Sequence, residues 1–259
     1  MIVDFSAIYH ALVPYDLVAW QWAAWICFGL FTGLLKAGFS GITVVIIPVI
    51  ATIFGAREST GINLPLLCLG DAIAVLYYHR HAEWKYILKL LPWTLGGFAV
   101  AILVERIVPV QAFRYIMGGC IIAGLIVMVW NDLRGKDKPP PSGLWFSAIF
   151  GILGGFATTI GNLAGAIMSV FLLSMRLPKN SFVGTTAWYF LIVNFLKLPI
   201  QVILWKNITA QTLLFDLTLV PVLLIGMALG IFLVKKIPEG VYRKTIMILT
   251  LVSSILLFV

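Results

Sequence analysis

The sequence predicts an all-α polytopic membrane protein with about ten transmembrane segments in two inverted five-segment repeats. Three observations carry that expectation. Mean hydropathy is +1.06, and 61% of the residues are hydrophobic while 11% are charged, against about 25% charged in ordinary soluble domains. Nearly all of the 259 residues lie in apolar runs separated by short polar turns, and backbone in hydrocarbon must close its hydrogen bonds within helices or closed barrels. Runs such as Ile116 to Trp130 do not alternate as barrel strands of roughly ten residues would, which leaves helices. Finally, two short glycine-broken stretches recur at matching places, Gly33-Leu-Leu-Lys-Ala-Gly38-Phe-Ser-Gly41 and Gly154-Gly-Phe-Ala-Thr-Thr-Ile-Gly161-Asn-Leu-Ala-Gly165.

The segments follow from their boundaries. Segment one, 18–36, opens among tryptophans and closes at Lys36. Segment two, 38–54, carries Pro48 and ends before Gly55. Segment three, 61–78, opens with Asn63 and Pro65 and ends at the loop His79-Arg80-His81. Segment four, 86–104, stops before Glu105-Arg106, and segment five, 111–130, stops at Trp130. A polar linker, 131–142, separates the halves; segments six to ten cover 143–158, 161–175, 182–204, 211–234 and 241–258. The domain organisation is therefore a single transmembrane domain over 1–259, with a first repeat 1–130, a cytoplasmic linker 131–142 and a second, inverted repeat 143–259. Segments two and seven would reach about 26 and 22 Å at 1.5 Å per residue, short of a hydrocarbon core about 30 Å thick. Tilted, kinked or half-membrane helices are expected there, and an eight-segment reading with two re-entrant hairpins is the rival.

The halves resemble each other in order. Gly29 and Gly33 recur 122 residues later as Gly151 and Gly155, while Gly38 and Gly61 recur 123 later as Gly161 and Gly184. Trp84-Lys85 returns as Trp205-Lys206, and the Pro109 to Arg114 spacing returns as Pro238 to Arg243. Five segments per half is odd, so the second half enters the membrane upside down. With the amino terminus outside, 13 of the 18 lysines and arginines fall in inside loops, as the positive-inside rule requires. Both termini are then outside.

Several function classes recede. The net charge of +8 is spread over short loops, which encodes topology rather than nucleic-acid binding. Met1 to Asp16 holds no lysine or arginine, so no cleavable signal peptide is expected. Cys27, Cys68 and Cys120 sit in apolar segments without metal spacing, and the H-x-H of His79 and His81 reads as a solvated basic loop. No metal or cofactor is expected.

Polar groups inside membrane segments are costly and are functional candidates by default. Asp71 stands mid-segment three and Lys197 in segment eight. By the 123 offset Asp71 corresponds to Asn194, one turn from Lys197, so a buried Asp71–Lys197 ion pair is expected, with Asp71 as the proton- or ion-coupling group and Lys197 as an anion ligand. Lys36 lies between Gly33 and Gly38, either snorkelling or as a cation at the mouth of the site. Gly38, Ser40, Gly41, Thr158, Thr159, Gly161 and Asn162 sit on or beside the breaks, where N–H groups at a half-helix start can hold an anion. Asn63 and Thr186 open segments three and eight, and Trp188 stands away from the segment ends that hold Trp20, Trp22, Trp25, Trp84, Trp130, Trp145 and Trp205 as interfacial anchors. Paired interrupted segments of this kind point to the substrate site of a secondary transporter.

The runs Gly154-Gly-Phe-Ala-Thr-Thr-Ile-Gly-Asn-Leu-Ala-Gly165, Leu177-Pro-Lys-Asn-Ser-Phe-Val-Gly-Thr-Thr-Ala-Trp188 and Val193-Asn-Phe-Leu-Lys-Leu-Pro199 resemble the TauE/SafE family of sulfite exporters. So does Leu64-Pro-Leu-Leu-Cys-Leu-Gly-Asp-Ala-Ile-Ala74, followed by Tyr77-Tyr-His-Arg-His-Ala-Glu-Trp84. The resemblance implies a bacterial inner-membrane transporter of sulfite, thiosulfate or organosulfonates such as sulfoacetate, with a small anion and the lipid bilayer as partners. A sulfonate presents three acceptor oxygens and needs N–H and hydroxyl donors plus a cation, which Ser40, Asn162, Thr186 and Lys36 or Lys197 supply. The competing readings are an anion channel with the same donors and an integral membrane enzyme; the latter lacks a convergent set of His, Cys and carboxylates.

Overall fold

The computed structural model describes residues 15–39, 43–104 and 143–256, with scattered positions between 107 and 129. The linker, most of segment five, and Ser40 and Gly41 lie outside the described residues. Ten helices are named: α1 (Ala19–Lys36), α2 (Thr43–Phe54), α3 (Ala56–Tyr78), α4 (Trp84–Val104), α5 (Leu144–Gly161), α6 (Ala164–Ser174), α7 (Lys179–Pro199), α8 (Ala210–Leu217), α9 (Val220–Lys236) and α10 (Glu239–Leu256). Among the described residues there is no strand. Among those residues four helical stretches are long and apolar enough to cross a membrane, and the bent pair α8–α9 makes a fifth. Their outward faces carry Leu76, Leu88, Leu103, Ile203, Leu217 and Ile225, an apolar exterior suited to lipid. The protein is a multi-pass helical membrane protein.

Where the helices depart from the expected spans, local chemistry explains it. Segment three starts at Ala56, directly after Gly55 at φ 91°, because the polar Ser59 and Thr60 are buried and hydrogen-bonded within the protein. Segment nine is two helices bent by 51°: Pro221, near the start of α9, has no N–H to continue the ladder from α8. Segment eight continues past Pro199 as a π turn, Ile200–Leu204, at which Gln201 is fully buried. The two short segments are the helices α2 and α6, of 12 and 11 residues. Every residue of α6 is buried, the mark of a helix enclosed by others rather than by lipid. Trp25 is also enclosed, stacked on Phe28 and Phe215 and fully buried, so it is a core residue and not the interfacial anchor expected of it; Trp20 and Trp145 do lie on the surface.

Three helix pairs make the most extensive contacts: α1 with α9, α4 with α5, and α3 with α7. Glycines let the first two pairs approach backbone to backbone. A Cβ on Gly33 would lie 2.1 Å from the Leu223 carbonyl oxygen, and one on Gly226 would lie 2.0 Å from that of Leu30. In the other pair, a Cβ on Gly97 would stand 2.3 Å from the Ile152 oxygen, and one on Gly155 2.2 Å from that of Thr94. Neighbouring Gly96 meets nothing within 4 Å. Gly97→Ala is therefore expected to destabilise by about 1–3 kcal/mol through overpacking, while Gly96→Ala is neutral or stabilises by up to ~1 kcal/mol through helix propensity. Thermal denaturation of the two purified variants checks this; equal midpoints would mean the α4–α5 contact is looser than described.

Candidate functional site

Both glycine breaks end a helix beside the α3–α7 crossing. At the end of α1, Gly38 adopts φ +140°, a conformation that side-chain-bearing residues rarely take, and a Cβ there would meet Val183 and Val234 at 3.0 Å. Its carbonyl accepts a 2.6 Å hydrogen bond from the Tyr242 hydroxyl. At the end of α5 the left-handed residue is Asn162, at φ 55°. Its N–H donates to the Thr158 carbonyl at 3.1 Å, and the Leu163 N–H donates to that of Ala157 at 3.2 Å; the first bond makes this an αL helix end with asparagine in the place glycine usually takes. The turn aims the Asn162 side chain inward and starts α6 two residues later.

Two lysines organise the polar groups there. Lys36, the last residue of α1, places its ammonium 2.7 Å from Asp71 Oδ1 and 2.8 Å from Oδ2, and 4.9 Å from the centre of the Phe190 ring. Asn194 Nδ2 donates to Asp71 Oδ2 at 2.7 Å. Asp71 therefore pairs with Lys36, and the expected Asp71–Lys197 ion pair is not formed. Lys197 is fully buried; its ammonium donates to the Thr158 carbonyl at 2.9 Å, to Thr158 Oγ1 at 3.1 Å, and to Asn162 Oδ1. Three acceptors match the three donors of an ammonium. The network continues outward: Asn162 Nδ2 donates to the Thr60 carbonyl at 3.2 Å, Gln201 Nε2 to Thr60 Oγ1 at 2.9 Å, and Asn207 Nδ2 to Gln201 Oε1 at 2.9 Å. Thr60, Gln201, Asn207 and Tyr242 were missed from the sequence. Gln201 alone left a signal there, an amide inside an apolar run.

Two cavities adjoin this network. The first is lined by Lys36, Gly38, Asp71, Thr158, Gly165, Asn162, Thr186 and Asn194, closed by Leu35, Leu67, Val183, Ala187 and Phe190. Its space for the centres of water-sized spheres is about 40 Å³, room for a few waters. Gly165 lies in the first turn of α6, where N–H groups lack partners within the helix. The second cavity, about 20 Å³ by the same measure, is lined by Phe28, Thr32, Leu35, Lys36, Ile47, Asn63, Leu67 and Asn162.

Most of the sequence candidates thus fall around one place. Lys36, Gly38, Asp71, Thr158, Asn162, Thr186 and Asn194 line the first cavity, and Asn63 the second. Four others stand elsewhere. Thr159 turns its hydroxyl to the Gly155 carbonyl, 2.7 Å away, and Gly161 ends α5 behind the lining. Trp188 packs on Trp84, ring centres 5.1 Å apart. Lys197 lies behind Thr158 and Asn162 rather than on the cavity wall. Among the described residues no three His, Cys, Asp or Glu side chains are grouped to hold a metal ion.

The family model for the sulfite exporter TauE/SafE matches residues 25–257. The chain belongs to the TauE/SafE family. That TauE/SafE match takes in both glycine breaks, Asp71, Lys36 and Lys197, so the site is built from residues inside it. The family is one of membrane transporters rather than enzymes. No curated protein and no solved structure matches the chain.

Proposed function

We propose that the protein is a secondary transporter that moves small sulfur-containing anions across the bacterial inner membrane by alternating access. Sulfite, thiosulfate and organosulfonates such as sulfoacetate are the substrate class, and both termini face outside. One observation carries the reading: two lysines, the partly buried Lys36 and the fully buried Lys197, stand beside a single carboxylate, Asp71, among the described residues that line or back the first cavity. An uncompensated positive charge in a low-dielectric interior is expensive, and a monoanion in the cavity balances it. Lys36, Asn162 and the first turn of α6 at Gly165 then hold the anion's oxygens, and Thr186, whose hydroxyl donates to the Phe182 carbonyl at 2.7 Å, joins them by turning that hydroxyl to the anion. Lys197 sets Asn162 and adds its charge from behind.

Alternating access rests on the ten-segment inverted repeat, for which the contacts give support. The first helix of each half packs on the fourth segment of the other, α1 on α9 and α5 on α4. Gly33 and Gly155, 122 apart, make equivalent close approaches across those pairs. Asp71 and Asn194, 123 apart, meet each other at the α3–α7 crossing. In this scheme Asp71 is the coupling group: when the anion takes Lys36, the carboxylate must gain a proton or another cation, because a lone buried carboxylate is costly.

Sulfite, sulfate, thiosulfate, taurine and sulfoacetate tested by thermal shift, followed by counterflow in proteoliposomes, decide the matter. A sulfur oxyanion is expected to raise the melting temperature, because binding to the native state alone stabilises it, and preloaded unlabelled anion to accelerate labelled uptake. Linear flux without counterflow would make the protein a channel; no shift with any anion would remove the substrate class. Asn162→Gly keeps the left-handed turn but loses the amide, so the half-saturating concentration should rise roughly tenfold, the equivalent of about 1.4 kcal/mol. An unchanged value would reduce Asn162 to a turn residue.

A further inference from the structure

We infer that the anion uses two pseudo-equivalent half-sites in succession, one in each cavity, with Lys36 serving both. The inference rests on the transporter reading above and adds a second binding position to it. The two cavities share four lining side chains: Leu35, Lys36, Leu67 and Asn162. These four form the septum between the cavities, with one cation in it.

What differs between the cavities obeys the repeat. Thr186 and Phe190 of α7 line the first alone and Asn63 of α3 the second alone, while Leu67, the counterpart of Phe190, is shared. Positions 63 and 186 are 123 apart, as are 67 and 190, and as are Asp71 and Asn194, which touch. The equivalent positions Asn63 and Thr186 of these two helices therefore stand in different cavities. An inverted repeat that alternates access would present this arrangement, one half-site to each side of the membrane.

The second cavity is the one whose chemistry is visibly incomplete. Asn63 is 1% exposed, and neither its Nδ2 nor its Oδ1 has a hydrogen-bond partner. A buried polar group left without a partner costs about 1–3 kcal/mol, so the cavity's occupant must supply what the protein does not. The amide offers two N–H donors to anionic oxygens, and its Oδ1 accepts from a hydrogen-bearing occupant such as hydrogen sulfite or water. Thr32, also buried, and the Lys36 ammonium complete a donor set from α1 and α3. Lys36 has a flexible four-carbon stem, and Asp71 keeps its bond from Asn194 while the ammonium changes cavity. The anion and the lysine cross the septum together, so the charge is never left alone.

Sidedness tests this. Asn63→Leu and Thr186→Val are near-isosteric and keep both lysines. Counterflow of radiolabelled sulfite is measured from each face of proteoliposomes whose orientation is fixed by protease access to the linker. Asn63→Leu is expected to raise the half-saturating concentration at least fivefold from one face and less than twofold from the other, with Thr186→Val showing the opposite pattern. Equal increases at both faces mean one joint site and overturn the inference, as does either variant with wild-type values at both faces. Loss of counterflow in the wild type would instead defeat the transporter reading. Thermal shift with sulfite then decides the half-sites: each single variant keeps a shift and the double variant loses it, whereas loss in both single variants overturns the proposal.

Discussion

Lys36→Met is expected to destabilise the protein by about 3–5 kcal/mol and to abolish transport. The size follows from what remains. Asp71 is 1% exposed, and without Lys36 its carboxylate keeps a single bond, from Asn194; breaking a buried pair by removing one partner costs about that much. The stacking of the ammonium over Phe190 is lost as well, worth about 0.5–2 kcal/mol. Adding Asp71→Asn should return most of the stability, since replacing both members of a buried pair is often neutral, yet transport should stay absent because the cation is gone. Asp71→Asn alone frees Lys36 for the anion: binding should tighten while concentrative transport fails for want of a coupling group. Thermal midpoints and counterflow on these three variants and the wild type form a double-mutant cycle. Additive losses of stability would show that Lys36 and Asp71 do not interact.

Much of this site was legible in one dimension, and the part that was not has a geometrical cause. Glycine spacing and intramembrane polar residues located the breaks, Asp71, Asn194 and both lysines. The offset of 123 made Asn194 the counterpart of Asp71 and pointed to Lys197 as its partner, whereas the residue that Asp71 meets on α7 is Asn194 itself. The error was one helical turn: Lys197 is three residues beyond Asn194, which puts it ~4.5 Å along the helix and ~60° around it. That rotation carries its ammonium to the end of α5 instead of to Asp71. Lys36, at the end of its segment, read equally well as a snorkelling residue. It stays inside because Gly70 leaves room for its stem; a Cβ there would stand 3.0 Å from Lys36 Cγ. A glycine whose use is to admit a side chain from another helix has no periodic signature. Pro221 marks the bend in segment nine, but it stands within an apolar run that reads as one continuous segment. Asparagine, not glycine, as the left-handed residue after α5 follows from a second duty: the side chain both ends the helix and bridges Lys197 to Thr60.

Lys197→Met is expected to abolish sulfite binding and transport while changing stability by less than about 2 kcal/mol. Two opposing effects produce the small number. The substitution strands the Thr158 carbonyl and hydroxyl and the Asn162 Oδ1, at about 1–3 kcal/mol for each buried group left unmade. It also removes a fully buried cation whose bonded partners are all neutral, a desolvation penalty of several kcal/mol. The protein should therefore remain folded and membrane-inserted, and the loss of function should come from charge. With Lys36 and Asp71 alone the site is neutral, and an anion would make it negative. The double variant Lys197→Met with Asp71→Asn restores one net positive charge, now on Lys36. Sulfite should again raise its melting temperature, although without Asp71 the protein should not concentrate the anion. If the double variant stays silent to sulfite while Asp71→Asn alone responds, the position of the Lys197 ammonium matters rather than its charge. Lys197 would then be a direct ligand that reaches the anion once the Asn162 turn moves, and the charge count would no longer account for why this cavity selects anions.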